Sequence, residues 1–250
     1  MMVRRVLSIY LLMLCTGVSQ LVQAETIRIA VASNFSATIK ELASKYGLIS
    51  GHNIIVSSGS TGKLFAQIVH GAPYDIFLSA DAKRADLLVK KGLAKTSKTY
   101  AYGQLVYIAK DFSKNECRQS LNDRLINKLS LANPKTAPYG VAASQVLIKL
   151  GKWDLLRKKI VMGENVLQAY QFVVTGSASA GFVAKSTLLL SKEVDDYCQW
   201  DVPANLYQPI RQNMVLLNRA EKNIAARAFF RYINSGVAKN TIKENGYFVK

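Results

Sequence analysis

The regular alternation of short apolar strands with amphipathic helices, from residue 26 onward, constrains the fold more than any other feature of the sequence. Residues 26–31 form a short segment rich in β-branched side chains, which predicts a strand. Apolar residues then recur at the spacing of one helix face, at Ile39, Leu42, Ala43 and Tyr46. The same pattern repeats in both halves of the chain. Such alternation is typical of parallel sheets that helices cover on both faces.

The number of predicted strands is too large for one small sheet. Further strands are predicted at residues 53–57, 75–79, 105–109, 129–132, 180–183 and 214–217. No Pro- or Gly-rich linker divides the chain, so strands that cross between two lobes fit better than two separate domains. The sequence thus predicts an α/β fold with two lobes, lobe I from residues 25–103 and 213–250 and lobe II from residues 104–212.

Residues 1–24 have the pattern of a signal peptide. Two arginines precede an apolar run at residues 6–14, and the segment ending at Ala24 matches a cleavage site after a small residue. The run is shorter than the roughly 20 residues of a membrane span. Cys15 offers a lipoprotein alternative, which the bulky Leu14 before it disfavours. We therefore expect cleavage after Ala24 and a location in the periplasm.

The chain is strongly basic, with a formal net charge of +17. A charge of this size raises nucleic acid as a partner. However, the basic residues are scattered, as at Lys90-Lys91 and residues 157–159, and no basic run contains interleaved aromatic residues. We interpret them as solvent-exposed helix residues and predict no nucleic-acid partner.

The expected mature chain contains two cysteines, Cys117 and Cys198. An oxidising compartment permits a disulfide between them, but the sequence does not show whether their Cα atoms come close enough. His52 and His70 are isolated and no C-x-x-C motif occurs, so the sequence predicts no site for a metal cation.

Four of the strand-to-helix junctions contain small polar residues. They lie at residues 32–34, 57–63, 133–140 and 163–166. N–H groups at a helix start have no partner within the helix and lie at the positive end of its dipole, so they bind anions without charged side chains. In open α/β sheets, ligands bind beyond the carboxyl ends of the strands, where such junctions gather. A single junction is readily explained as an N-cap, but four on one exported chain favour a binding site.

The sequence lacks the motifs of common NTPases and hydrolases. Residues 57–63 resemble a phosphate loop, but Ser57 and Leu64 stand where that motif requires glycine and a hydroxyl residue. No G-x-S-x-G motif occurs. Asp75 and Asp81 flank a predicted strand and are better explained as a strand-entry residue and a helix cap. We therefore predict no catalytic residue.

Several segments together resemble the periplasmic molybdate-binding proteins of ABC importers. The most specific is residues 71–81, with the sequence GAPYDIFLSAD. The others, in chain order, lie at residues 30–33, 58–64, 138–140, 150–154, 164–166 and 246–248. The likeness covers essentially the whole expected mature chain. It implies a two-lobed periplasmic-binding-protein fold of type II, with the ligand in the cleft between the lobes.

The resemblance also implies that side-chain hydroxyls and backbone N–H groups hold the anion. Residue by residue, the implied ligands are Ser33, Asn34, Thr61, Tyr139 and Val166, the last through its backbone N–H alone. Thr61 stands where serine is more usual, and Ser60 replaces it if the alignment shifts by one residue. One branch of the family has a tyrosine ligand at the position of Ala184, which has no hydroxyl. The other branch has tyrosine and asparagine where this chain has Tyr139 and Asn34.

The function implied by the resemblance is the binding of molybdate, and of tungstate, outside the cytoplasmic membrane and its delivery to an ABC-type permease. The same resemblance implies no cofactor and a monomer. A sulfate- or tungstate-selective binding protein is the alternative within this class. An enzyme or a transcriptional regulator that reuses the two-lobed fold is the alternative from another class, against which the export signal and the missing catalytic motifs argue.

Overall fold

The computed structural model of the protein describes residues 24–122, 126–191 and 197–250. The predicted signal peptide therefore lies outside the described residues, apart from Ala24. Across the described ranges, no helix is both long enough and apolar enough to cross a bilayer.

The strands of the described residues form two five-stranded sheets. They are β1 (Thr26–Ala32), β2 (Asn53–Gly59), β3 (Ile76–Leu78), β4 (Ala94–Gly103), β5 (Leu105–Lys110), β6 (Leu129–Ala132), β7 (Ile160–Gly163), β8 (Ala180–Ala184), β9 (Tyr197–Asp201) and β10 (Ile210–Leu217). Sheet I has the order β2-β1-β3-β10-β4 and sheet II the order β7-β6-β8-β5-β9. In sheet I, β10 alone runs against the other strands, and in sheet II β5 does so. The predicted pair of mostly parallel sheets is confirmed.

Helices cover both faces of each sheet. They are α1 (Ser36–Ser50), α2 (Thr61–Val69), α3 (Ala82–Lys90), α4 (Pro138–Lys149), α5 (Trp153–Leu156), α6 (Val166–Val174), α7 (Lys185–Leu189), α8 (Ile224–Tyr232) and α9 (Gly236–Glu244). Successive strand residues point to opposite faces, and in β1 the buried Val31 packs in a cluster with Ile39 of α1. Its neighbour Ala30 packs in a separate cluster with Leu64 of α2. Both faces of sheet I are therefore buried by helices.

The chain crosses between the two sheets at two places. The strand β4 ends at Gly103 in sheet I, and β5 begins at Leu105 in sheet II. The strand β9 ends at Asp201, and β10 returns to sheet I from Ile210. The lobe limits suggested by the sequence, at residues 103/104 and 212/213, remain a prediction. The limit at 212/213 would divide β10, whereas a limit before Ile210 would leave the strand in one lobe.

A disulfide joins Cys117 to Cys198, with their Cα atoms 5.4 Å apart. It connects the loop that follows a 3-10 turn, Lys114–Glu116, to the edge strand β9 of sheet II. Both cysteines are buried. The structure therefore gives this chain the cross-link that the sequence left undecided.

Candidate functional site

Four helix starts meet in the cleft between the two sheets. The strands β1 and β2 lead into a 3-10 turn, Ser33–Phe35, and into α2 on one side, and β6 and β7 lead toward α4 and α6 on the other. The residues implied by the resemblance lie at these starts, and each is more than nine-tenths buried: Ser33, Asn34, Thr61, Tyr139 and Val166. The fold therefore brings the four polar junctions of the sequence to one place.

Direct contacts close the cleft. The Gly62 N–H at the start of α2 donates to the backbone oxygen of Thr136 across the cleft at 2.8 Å. The ammonium group of Lys63 lies 2.7 Å from the Glu164 carboxylate, and Arg84 Nη2 donates to the Lys135 backbone oxygen at 2.9 Å. Since Lys63 and Arg84 each have an acidic partner, these two cations at the rim do not face the cleft unpaired.

Ser33 and Asn34 form the first helix start. Both amide hydrogens of Asn34 have partners within the protein: Nδ2 donates to the Gln212 oxygen at 2.9 Å and to the Tyr247 hydroxyl at 3.3 Å. The Asn34 backbone oxygen accepts from Tyr247 at 2.6 Å and from Ser186 at 3.1 Å. The side-chain donors of Asn34 are therefore committed to the protein, and its backbone N–H is the donor that remains for a ligand.

The second helix start offers two hydroxyls, Ser60 and Thr61. The Thr61 oxygen accepts from the Ala80 N–H at 3.2 Å, which leaves its own proton for another acceptor. The Ser60 oxygen is buried and has no hydrogen-bond partner among the described residues. Buried polar atoms are nearly always hydrogen-bonded, so an unpaired one indicates a missing ligand or water.

Tyr139 lies in the first turn of α4, after Pro138. Its hydroxyl is likewise buried, and no described atom makes a hydrogen bond to it. Burial raises the pKa of this hydroxyl well above its ordinary value, the nearby Tyr247 and Tyr100 add to the shift, and the adjacent Gln212 amide partly offsets it. Tyr139 therefore stays a neutral donor across the physiological pH range. A β-carbon on Gly103 would lie 2.2 Å from the Tyr139 oxygen, so only glycine at residue 103 leaves room for this hydroxyl.

Val166 is the first residue of α6, and the helix cap accounts for its free N–H. The side-chain oxygen of Asn165 accepts from the N–H groups of Leu167 and Gln168, each at 3.0 Å. The N–H of Ala169 donates to the Asn165 backbone oxygen at 3.1 Å. The cap thus uses the N–H groups that follow Val166 and leaves the Val166 N–H toward the cleft.

Gln212 in β10 was not predicted as a site residue. It is fully buried, and its Nε2 is the third buried side-chain atom of the described residues without a partner, after those of Ser60 and Tyr139. Its oxygen accepts from Asn34 and from the Tyr100 hydroxyl at 3.0 Å. No junction motif marks Gln212, because it lies inside a strand; the only available signal is a polar pair, Gln212-Asn213, before an apolar run.

The comparisons with known proteins agree on one family. The family model described as bacterial extracellular solute-binding protein matches residues 27–248. A molybdate-binding protein, ModA, of Azotobacter vinelandii is 42% identical over 90% of this chain and 90% of its own length. A protein of the same name from Rhodobacter capsulatus is 37% identical over 87% of this chain and 86% of its own.

A solved structure supports the same assignment. The periplasmic molybdate-binding protein of Azotobacter vinelandii superposes with a TM-score of 0.84 and 34% identity, covering 90% of this chain and 99% of its own. Both the sequence match and the fold match extend over nearly all of the described residues. The chain belongs to the bacterial extracellular solute-binding protein family.

Proposed function

We propose that this protein binds molybdate, and also tungstate, in the periplasm and delivers it to the permease of an ABC importer. The observation that carries the proposal is the set of buried, unpartnered polar atoms on Ser60, Tyr139 and Gln212, beside helix starts with free N–H groups. An oxyanion in the cleft would supply the acceptors that these groups lack. The names of the relatives, which are molybdate-binding proteins, support the choice of anion.

The proposed ligand set divides into hydroxyl donors and backbone donors. Ser33, Thr61 and Tyr139 would donate through their hydroxyls, and Asn34 and Val166 through their backbone N–H groups. Ser60 joins the hydroxyl donors, because its buried oxygen has no partner within the described protein. The hydroxyls and amides are neutral, so binding would avoid the large penalty of desolvating full counter-charges.

A site of donors selects anions by their protonation state. Molybdate is a fully deprotonated dianion at neutral pH, so each of its oxygens can only accept. Phosphate retains a proton near neutrality, and that proton would lack an acceptor in such a site. A buried polar group without a partner costs roughly 1–3 kcal/mol, which is about one to two orders of magnitude in affinity. We therefore expect phosphate to bind weakly.

Sulfate has the same charge and protonation as molybdate, so only the size of the cavity separates them. The longer metal–oxygen bonds of molybdate require a roomier site, and tungstate has nearly the same dimensions. A receptor selective for sulfate is thus the second candidate within the same class. Its signature would be a stronger response to sulfate than to molybdate.

The proposal includes the setting of the protein. It acts as a monomeric binding protein without a cofactor, catalytic activity or nucleic-acid partner, after removal of the signal peptide behind Ala24. Detectable turnover of a bound substrate would instead favour an enzyme built on this two-lobed fold.

A thermal-shift panel with molybdate, tungstate, sulfate and phosphate tests the proposed function. We expect large shifts with molybdate and tungstate and small ones with sulfate and phosphate. Ser33→Ala and Tyr139→Phe should each weaken molybdate binding by about tenfold or more, since each removes one buried donor. Val166→Ala serves as the matched control, because it keeps the backbone N–H. Equal stabilisation by sulfate and molybdate would overturn the choice of anion, and unchanged shifts in both donor variants would overturn the site.

A further inference from the structure

Gln212 lies in the strand β10 rather than at a helix start, and its side chain has a buried N–H donor without a partner among the described residues. Its side chain is fully buried, its oxygen accepts from Asn34, and its Nε2 has no hydrogen-bond partner among the described residues. The Tyr100 hydroxyl lies 3.0 Å from the same oxygen and shares its one proton with the Ser79 backbone oxygen, 3.2 Å away. A β-carbon on Gly103 would lie 2.7 Å from Nε2 and 2.2 Å from the Tyr139 oxygen. The Gln212 amide and the Tyr139 hydroxyl are therefore neighbours, and the contact between them lowers the pKa of that hydroxyl.

The orientation of the Gln212 amide follows from a chain of hydrogen bonds that starts at Tyr247. The Tyr247 hydroxyl has one proton and lies 2.6 Å from the Asn34 backbone oxygen, which can only accept. Toward the Asn34 side chain, 3.3 Å away, Tyr247 must therefore accept, so the facing atom is Nδ2. The other hydrogen of Nδ2 points at Gln212 at 2.9 Å, which places the Gln212 oxygen there and leaves Nε2 to face away.

Ser186 does not alter this result. Its hydroxyl lies 2.9 Å from that of Tyr247 and 3.1 Å from the Asn34 backbone oxygen. If the Tyr247 proton pointed to Ser186 or to the Asn34 side chain, the Tyr247 and Asn34 backbone oxygens would lie 2.6 Å apart with no proton between them, so Tyr247 donates to the backbone oxygen. Burial raises the pKa of Tyr247 well above its ordinary value, so the hydroxyl keeps its single proton. The hydrogen bonds that link Tyr247, Asn34 and Gln212 therefore have a single direction.

The backbone of β10 contributes to the position of Gln212. The pairing of β10 with β4 shifts register between Gln212 and Asn213, and such bulges re-aim a side chain relative to the regular strand. Asn213 then has partners of its own in Thr99 and Ser97. Of the two adjacent amides, only Gln212 is left with an unpaired nitrogen.

We propose that Gln212 is a further ligand of the bound oxyanion, and that Tyr247 and Asn34 lock its amide so that only N–H faces the anion. This inference rests on the proposed function, because it adds a donor to the same site. It also assigns Asn34 a positioning role in addition to its backbone contact. The lock excludes the flipped amide, whose oxygen would repel a deprotonated oxyanion and would accept the proton of a protonated one.

Isothermal titration of the purified protein with sodium molybdate tests the contact. Gln212→Glu keeps an oxygen for Asn34 and Tyr100 but replaces the free N–H by a carboxylate oxygen, so we expect an affinity loss of about 100-fold or more. Gln212→Met removes the donor without adding charge and should cost about tenfold. Gln145→Glu is the matched control, since Gln145 uses only its oxygen, as acceptor from the Gln208 N–H. It should bind within about twofold of the unmodified protein.

Tyr247→Phe tests the lock through selectivity. Without the hydroxyl, the Asn34 and Gln212 amides can flip together, so the discrimination between molybdate and phosphate should fall by about tenfold. Equal loss of affinity for both anions would contradict the lock, because a purely structural defect does not distinguish them. Thermal unfolding without ligand reports the folding of each variant, and Gln212→Met decides the contact if Gln212→Glu does not fold.

The two levels of the hypothesis fail differently. If the unmodified protein does not bind molybdate, the proposed function is wrong. If it binds molybdate and both Gln212 variants bind equally well, the proposed function stands and only the role of Gln212 is wrong.

Discussion

Gly62 sets how closely the two sides of the cleft approach. Its N–H donates to the Thr136 oxygen, and a β-carbon on residue 62 would lie 3.0 Å from the Thr136 Cα and 3.2 Å from that oxygen. These neighbours are backbone atoms or lie next to the backbone, so they cannot turn aside as a long side chain would. The absence of a side chain at residue 62 is therefore a condition for closure.

Gly62→Ala should separate stability from affinity. In a helix, alanine is favoured over glycine by roughly 1 kcal/mol, so the unliganded protein should unfold at the same or a higher temperature. The closed form would be crowded, and the molybdate affinity should fall by about tenfold, which corresponds to ~1.4 kcal/mol. Gly236→Ala at the start of α9 is the control, because a β-carbon there would have nothing within 4 Å. Unchanged affinity in Gly62→Ala would show that the approach at Thr136 does not limit closure.

At the residue scale, the sequence predicts the helix-start residues but not the interior ones. Ser33, Thr61 and Val166 stand in short polar junctions, which local chemistry marks. Gln212 and Tyr247 come next to Asn34 only because distant segments pack together, and Gln212 lies 178 positions from Asn34 in the chain. No local pattern encodes such a pairing, so these residues required the fold.

Among the elements, α6 depends on its cap for both folding and binding. Asn165 accepts from the Leu167 and Gln168 N–H groups and so leaves the Val166 N–H toward the cleft. The Gln168 side chain in turn accepts from the Glu164 N–H at 2.6 Å, which completes a reciprocal cap. One helix start therefore combines a structural bond network with a proposed ligand group.

Asn165→Ala should lower both stability and affinity. Loss of an N-cap costs about 1 kcal/mol of the free energy of unfolding, and the Val166 N–H would lose its fixed direction. Asn223→Ala is the matched control: Asn223 caps α8 through the Ala226 N–H at 2.7 Å, and its loss should cost similar stability without changing molybdate affinity. Urea unfolding and calorimetric titration of both variants measure the two effects. An equal loss of affinity in the two variants would remove the special role of the α6 start.

The disulfide should contribute stability to lobe II rather than to the site. It joins residues separated by 81 positions, and removing a native disulfide from a secreted domain typically costs about 2–5 kcal/mol. We expect the Cys117→Ser/Cys198→Ser double variant to unfold at lower urea concentration while it binds molybdate with unchanged affinity. If the fully folded double variant bound molybdate much more weakly, the position of β9 would affect the geometry of the cleft.

The elements that the sequence did not predict are those whose pattern is weak. The strand β4, Ala94–Gly103, contains many polar residues and lies at an edge of sheet I, so it lacks a regular apolar alternation. The edge strands β7 and β9 are also short and half-exposed. The inner strands β1, β6 and β8 are predicted correctly, because each is a short segment dominated by apolar or β-branched residues. The positions of β4, β7 and β9 depend on pairing with a neighbouring strand, and a local sequence pattern does not indicate that pairing.

For the whole molecule, the buried tyrosines couple folding to alkaline pH. Burial raises the pKa of six tyrosine hydroxyls above the ordinary value, and the most deeply buried of them are those of Tyr100, Tyr107, Tyr139 and Tyr247. Above about pH 10 the unfolded chain loses these protons while the folded protein retains them. Because the folded state then binds more protons, its stability decreases as the pH rises.

Urea unfolding between pH 9 and pH 11 should therefore show a falling free energy of unfolding, with up to about 1.4 kcal/mol per pH unit for each retained proton. Tyr107→Phe removes one such proton outside the cleft, where Tyr107 contacts Ser120 at 2.7 Å. The slope should be smaller in this variant. A free energy that stays constant over this range would contradict the assignment.

Because the chain crosses twice between the sheets, sheet I requires a strand that follows all strands of sheet II in the sequence. Sheet II is formed by the successive strands β5 to β9, whereas β10 occupies the position between β3 and β4 in sheet I. Without residues 210–217, sheet I would be interrupted between β3 and its edge strand β4, because β10 is the strand that pairs with both. The sheet that carries Ser33 and Thr61 thus needs a segment that follows every strand of sheet II in the chain. All residues up to Leu217 must therefore be present before both sheets can reach their native strand order.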